Sequence, residues 1–163
     1  MSYELSDHAW SPTSWQKAHY KFLRPAIVVV PLWLAFGKCL LGGPFGWNSM
    51  IYLMAVCPFL ALFHVLLAFL ATRKNGLRNG LAPADYFVSH RLAGALTIYY
   101  LIHIAWQLVL EDGGDAGTDP SLAERWFGMS SAAANKSLNV LFAVFVVNVL
   151  VILGLVSFEP VVP

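Results

Sequence analysis

The sequence predicts an all-α membrane protein of four transmembrane helices with an N-terminal interfacial helix, and three observations carry that reading. Apolar residues make up 58% of the 163-residue chain and charged residues only 12%. The charges gather in short clusters between long hydrophobic runs. Those runs approach or pass the roughly 20 residues that cross a bilayer's hydrocarbon core as a helix. They are Pro25 to Leu41, the shortest, then Trp47 to Ala71, Ser89 to Leu110 and Leu138 to Phe158. Residues 1–163 read as a single transmembrane domain, with no room beside the runs for a soluble catalytic domain.

Each element has a local signal. Ser11-Pro12 suits a cap and first helical position. Trp15, Lys17, Tyr20, Lys21 and Phe22 make the stretch through residue 24 an aromatic and basic helix at the membrane surface. Gly42, Gly43 and Pro44 end the first span, and Gly76 and Gly80 bracket the hairpin between the second and third. The loop Glu111 to Ser137 opens with EDGGDAGTD, and Asp119-Pro120 starts a short turn through Ala123 and Trp126. Pro31 and Pro58 predict kinks. Cys39 and Cys57 lack metal-ligand spacing and read as two buried thiols.

Basic residues set the expected topology, because short loops rich in Lys and Arg stay on the cytoplasmic side. Lys17, Lys21 and Arg24 precede the first span, and Arg73, Lys74, Arg78 and Arg91 lie in or beside the second connection. Four spans put these two regions on one side. The acidic third connection, with only Arg125 and Lys136, suits the other. Both termini are expected on the cytoplasmic-equivalent side of a bacterial inner or organellar membrane. The first run starts too late and has the wrong flanks for a cleaved signal peptide.

Two histidines stand inside apolar runs, His64 in Ile51 to Ala71 and His103 in Leu92 to Leu110. An ionisable residue at membrane depth marks a functional site by default, and ligation of iron in a b-type haem is the most economical use of a buried neutral imidazole. If the second helix ends near Asn75 and the third begins near Pro83, antiparallel neighbours at equal depth have numbers summing to roughly 158. His64 then faces Gly94 and His103 faces Ala55, an offset of about 13 Å in depth that disfavours one haem between them. His90 lies about 6 Å from the level of His64, a marginal pair. His8 and His19 fall outside the bilayer and carry little information.

LFHVLLAFLATRKNG, Leu62 to Gly76, and SHRLAGALT, Ser89 to Thr97, resemble segments of the cytochrome b membrane-anchor subunits of succinate:quinone and quinol:fumarate reductases. The first is similar to a helix end in which a haem-ligating histidine precedes basic residues at the surface. The second is similar to the serine, histidine and arginine signature at a quinone-side helix start. His103, deeper in that helix, matches the two-haem members. Together the matches span about 40 residues.

The resemblance implies haem b ligated by His64 and His103, and a quinone near Tyr86, Ser89, His90 and Arg91, with Asp85 alongside. Thr97, Tyr99, Tyr100 and Gln107 become the outer shell of the imidazoles, and Gly94 lets a flat ring or a neighbouring helix approach. The order of the motifs departs from the three-helix members, and four deep histidines of the two-haem members are reduced here to two. Missing ligands would then come from other membrane subunits, in a hetero-oligomer or a homodimer, and soluble flavin and iron-sulfur subunits would deliver electrons.

Plainer readings stand beside these. Each buried histidine can be hydrogen-bonded across helices, small residues pack helices, and Ser89 to Arg91 can be a cap with a snorkelling arginine. Chlorophyll binding and a cofactor-free accessory subunit of a larger complex are the alternative functions. No nucleophile-base pair, phosphate loop or row of polar residues lining a path is present, which speaks against a self-contained hydrolase, transferase or channel.

Overall fold

A computed structural model describes residues 11–77, 82–114 and 117–158, with side chains of 112–118 left aside. His8, Arg78 and Gly80, singled out above, lie outside the described residues. Four helices are long and apolar enough to cross a membrane: α1 (Ser14–Leu40), α2 (Trp47–Gly76), α3 (His90–Val109) and α5 (Ser131–Phe158). A short α4 (Leu122–Phe127) lies in the third connection. Beside it, β1 (Asp112–Gly114) pairs antiparallel with β2 (Gly117–Asp119). This ladder of three residues a side leaves the class all-α.

The surface helix expected before the first span is helical but is not a separate element. Helix α1 runs unbroken from Ser14 through Pro25 and Pro31 to Leu40. Its 27 residues reach about 40 Å, longer than the roughly 30 Å hydrocarbon core, so the first turns project into the interface. The cap is Thr13, not Ser11: Thr13 Oγ1 accepts from Gln16 N–H while Gln16 Oε1 takes the Thr13 N–H at 2.9 Å. In α2 the segment Tyr52–Val56 is a π-turn directly before Pro58. Proline has no N–H for the i−4 carbonyl, and the wider turn takes up that defect.

Helix α5 starts seven residues before the expected Leu138, because Ser130 caps it and the alanine-rich stretch from Ser131 favours helix. The outer turn is capped by Ser121 rather than Asp119: Ser121 Oγ and the Glu124 carboxylate each accept the other residue's N–H. Gly128, at φ +65°, ends α4 in the left-handed region.

Helix α1 packs against both α2 and α3, and α3 packs in turn against α5. Helices α2 and α3 face each other across the bundle and meet mainly through side chains. The core draws Leu23, Ala26 and Val30 from α1, Leu67 and Ala71 from α2, Leu92 to Leu96 and Tyr99 from α3, and Ile152 and Val156 from α5. Small residues at the crossings, Ala26 and Ala93 fully buried, let backbones approach where lipid offers no hydrophobic drive. Cys57 is buried, its Sγ donating to Pro31 O at 3.1 Å, and Cys39 is half-buried.

The start of α1, the end of α2, the start of α3 and the end of α5 share one end of the bundle. Gln16 Nε2 donates to Val88 O (3.1 Å), Tyr20 and Thr72 share a hydrogen bond (2.9 Å), and Lys74 Nζ donates to Leu155 O (3.3 Å). Lys17 pairs with Asp85 at 2.9 Å on the rim.

Candidate functional site

The hairpin between α2 and α3 decides where the deep histidines stand. Asn75 Nδ2 donates to Phe87 O at 2.8 Å and Asn75 Oδ1 accepts from Phe87 N at 3.1 Å, so these two residues share one depth. Equal-depth numbers therefore sum to about 162, not 158. The reason is local: after a 3-10 turn at Pro83–Asp85 the chain stays extended through Ser89, and α3 begins only at His90. Ser89 Oγ caps it through Leu92 N–H at 3.1 Å.

This shift revises the arithmetic for the histidines. His64 meets Tyr99 and Tyr100, at ring-centroid distances of 5.5 and 6.4 Å, rather than Gly94. His103 lies one turn further out, 4.3 Å from the ring of Tyr99. The depth offset between the two imidazoles is thus about 6 Å instead of 13 Å, while His90 moves about 13 Å from the level of His64 and cannot pair with it.

Both imidazoles are oriented alike. His64 Nδ1 lies 2.7 Å from Leu60 O and His103 Nδ1 lies 2.8 Å from Tyr99 O, each one turn back on its own helix. These carbonyls fix the tautomer with hydrogen on Nδ1 and leave Nε2 as the acceptor or ligand nitrogen. His64 Nε2 and the hydroxyls of Tyr99 and Tyr100 are buried without a hydrogen-bond partner among the described residues. The expected outer shell is otherwise engaged. Thr97 Oγ1 donates to Ala93 O (3.0 Å), and Gln107 reaches α1, donating to Leu34 O (3.0 Å) and accepting from Lys38 N (3.0 Å).

The packing around these histidines does not fit a haem. The Tyr99 ring touches both imidazoles, and Phe63 and Phe145 close the remaining sides at 5.5–5.9 Å, leaving no slot for a macrocycle. His64 is fully buried in the chain, with the rings of Phe63, Tyr99 and Tyr100 around it. The cavity lined by His103, Tyr52, Trp106 and Phe142 holds about 160 Å³, well below the roughly 300 Å³ at which ligand pockets begin. Among the described residues no group of three or more His, Cys, Asp or Glu side chains could hold a metal ion.

A different place brings expected residues together. Between α3 and α5 runs an apolar groove of about 840 Å³, into which His90, Arg91 and Gly94 open beside Ala95 and Ile98. Trp15 closes one end, its ring edge-on to His90 and to His19, each at a centroid distance of 5.0 Å. Gly94 forms part of the floor, and a Cβ there would sit an ordinary 3.9 Å from Trp15 Cη2. On the opposite wall stands Asn148, whose Nδ2 donates to Ala95 O at 3.2 Å and whose Oδ1 is buried without a partner among the described residues.

The quinone group expected near this surface is therefore divided. Ser89 serves as the cap, Asp85 pairs with Lys17, and Tyr86 packs edge-on against Tyr20 at 5.6 Å, away from the groove. Only His90, Arg91 and Gly94 face it. His19 is structural rather than idle: its Nε2 lies 2.9 Å from Thr97 Oγ1 and its Nδ1 2.9 Å from Trp15 O, fixing the wall of the groove.

The sequence reading missed Asn148 and Trp15 as parts of this groove. Asn148 stands alone between Val147 and Val149 in the most apolar span, the same signal that drew attention to the histidines. Comparison with protein-family models, with curated proteins and with solved structures found no match.

Proposed function

We propose that this protein is an integral membrane subunit of an electron-transfer assembly that binds a quinone in the groove between α3 and α5. One observation carries the reading: His90, Arg91 and Gly94 open into a single apolar groove with the buried amide of Asn148. Such a site, almost wholly apolar along its length and bordered by His90 and Arg91, suits a planar ring that carries oxygens at its edges and an isoprenoid tail. Gly94 and Ala95 give the ring a flat floor. Arg91 and His90 stand near the surface, where they meet ring oxygens and exchange protons with water. The tail runs along Val144, Val147 and Val151, which line the groove.

In this reading other membrane subunits, and soluble flavin and iron-sulfur subunits, deliver or take up electrons, and the basic end of the bundle is the cytoplasmic-equivalent side. Haem b forms no part of it. The histidines of the bundle centre act as core residues.

The test is equilibrium binding of decylubiquinone to the purified protein in lipid nanodiscs, read as quenching of tryptophan fluorescence. We expect saturable binding of one ring per chain, weakened at least tenfold by Gly94→Leu, which fills the floor, and by Arg91→Ala. Uptake proportional to lipid alone, or affinity unchanged in both variants, defeats the proposal. A reduced-minus-oxidised spectrum of the native membrane complex tests the haem conclusion: a b-type alpha band lost in His64→Ala would overturn it.

A further inference from the structure

Two asparagines interrupt the apolar run of α5, and they leave it on opposite sides. Asn148 is buried, its Nδ2 donating to Ala95 O of α3 at 3.2 Å. Asn139 stands nine residues earlier, which at 3.6 residues per turn is two and a half turns, so its side chain lies on the face turned away from α3. It is exposed there, and its amide has no partner among the described residues. The outer half of α5 shares this exposure: no residue between Ala134 and Asn148 is buried.

Depth makes that exposure costly. Helix α3 has 20 residues and a length of about 30 Å, the thickness of the hydrocarbon core, so Glu111 just past its end marks the outer boundary. Ser131 Oγ donates to Glu111 Oε1 at 2.6 Å and Asn135 Nδ2 donates to the same oxygen at 3.3 Å, which sets Asn135 at that boundary. Asn139, one turn further in, stands about 6 Å inside the hydrocarbon. Its side chain is too short to carry the amide back to the headgroups, and lipid tails offer an amide nothing.

We infer that the outer half of α5 is the interface of a homodimer, in which Asn139 exchanges hydrogen bonds with the same residue of a second copy. The partner follows from the chemistry of the amide, which carries both an acceptor and donors and is its own complement. Copies inserted in one membrane share a topology, so the twofold axis that relates them runs along the membrane normal and α5 meets its counterpart in parallel. Like residues then stand at like depth, and the two amides meet without further adjustment. Ala143, Val146, Leu150 and Leu153 continue the same face inward at alternating steps of four and three residues, the spacing of a left-handed helix pair. Ala143 lets the backbones approach, and Val146 and Leu150 are exposed along the seam. Lys136, exposed three residues outward, lies near the boundary, where its stem carries the ammonium into the headgroups. The groove stays open in the pair, because Val144, Val151 and Leu155, which line it, leave α5 on the flank nearer α3.

The test is energy transfer between copies of the full chain, labelled with donor or acceptor at the N-terminus, in liposomes of rising lipid-to-protein ratio. We expect transfer that follows a monomer-dimer equilibrium, with the dissociation constant raised about tenfold in Asn139→Leu, as one interhelical hydrogen bond contributes, and brought back to within about threefold in Asn139→Gln. Should Asn139→Leu fail to fold, disulfide cross-linking of chains that keep Asn139 tests the same seam. Val146→Cys should cross-link well above the parent chain, whose Cys39 and Cys57 give the baseline, and Val144→Cys, on the groove flank, should not. Transfer no greater than chance encounter at the highest lipid dilution, the result for a monomer or for a chain that pairs with a different subunit, overturns the inference. So does a dissociation constant unchanged in Asn139→Leu, or equal cross-linking at Val144 and Val146.

Discussion

On α3 the face that carries Tyr99 and His103 is closed, and the face that carries His90, Arg91 and Gly94 is open. At the centre, aromatic rings from three helices occupy the space between α2 and α3, with every ring contact below 6.5 Å. On the groove side, small residues of α3 line a space of about 840 Å³ beside α5. A buried imidazole does not by itself bring free volume with it. What separates the two places is free volume. His64 Nε2 is buried among rings with no room beside it, whereas the groove beside α3 stays open along Gly94 and Ile98.

The largest effect should follow from opening the closed side. Tyr99→Ala removes a fully buried ring that touches His64, His103, Phe63 and Phe145, and should cost about 3–5 kcal/mol. Reversible SDS titration, or the thermal midpoint in detergent, reads this loss. Tyr99→Phe sharpens the contrast, since the hydroxyl has no partner among the described residues. That variant should leave stability unchanged or raise it by about 1 kcal/mol. A drop of that size instead would show that the hydroxyl is bonded in the native assembly, and that the centre is a polar site rather than a packed core.

Next comes the clamp that sets the depth of both places. Asn75→Ala removes hydrogen bonds to Ala71 O, Phe87 O and Phe87 N and strands buried backbone groups, at a cost of about 2–3 kcal/mol. Faster hydrogen exchange at the Phe87 amide should accompany it. If the start of α3 then slides, quinone affinity and the packing around Tyr99 should change together, because one helix carries both. Affinity falling without any loss of stability would mean that the groove depends on something other than this register.

The four spans were legible because long apolar runs and clustered charges are properties of the chain alone. Their relative depth was not. It turns on where the extended segment Tyr86 to Ser89 gives way to helix, and on Asn75, whose side chain reads as an ordinary helix-end residue until Phe87 is seen beside it. The same limit governs the site. His90, Arg91 and Gly94 were marked by their pattern along α3, but the wall that completes their groove comes from Asn148, 54 residues further along the chain than Gly94. Tyr86 went astray for the mirror-image reason. Its neighbourhood in sequence pointed to Ser89 and His90, and its ring finds Tyr20 on α1 instead.

The smallest effects come from adding one methyl group beside each face of α3, at Gly37 of α1 and at Gly94 of α3 itself, where the comparison predicts opposite signs. A Cβ at Gly37 would meet Gln107 Cγ at 2.9 Å and the Trp33 ring at 3.1 Å. Gln107 cannot withdraw cheaply, because its amide bonds Leu34 O and Lys38 N, an i, i+4 pair on α1. Gly37→Ala should therefore destabilise by about 1–3 kcal/mol, as overpacking does. At Gly94 the nearest atom to an added Cβ is Trp15 Cη2 at 3.9 Å, ordinary contact. Gly94→Ala should be neutral or stabilising by about 0.5–1 kcal/mol, through the gain in helix propensity. Thermal midpoints of the two variants, measured side by side in one detergent, decide the matter. A loss at Gly94 equal to that at Gly37 would mean that the groove is filled in the folded protein and that the two faces of α3 do not differ.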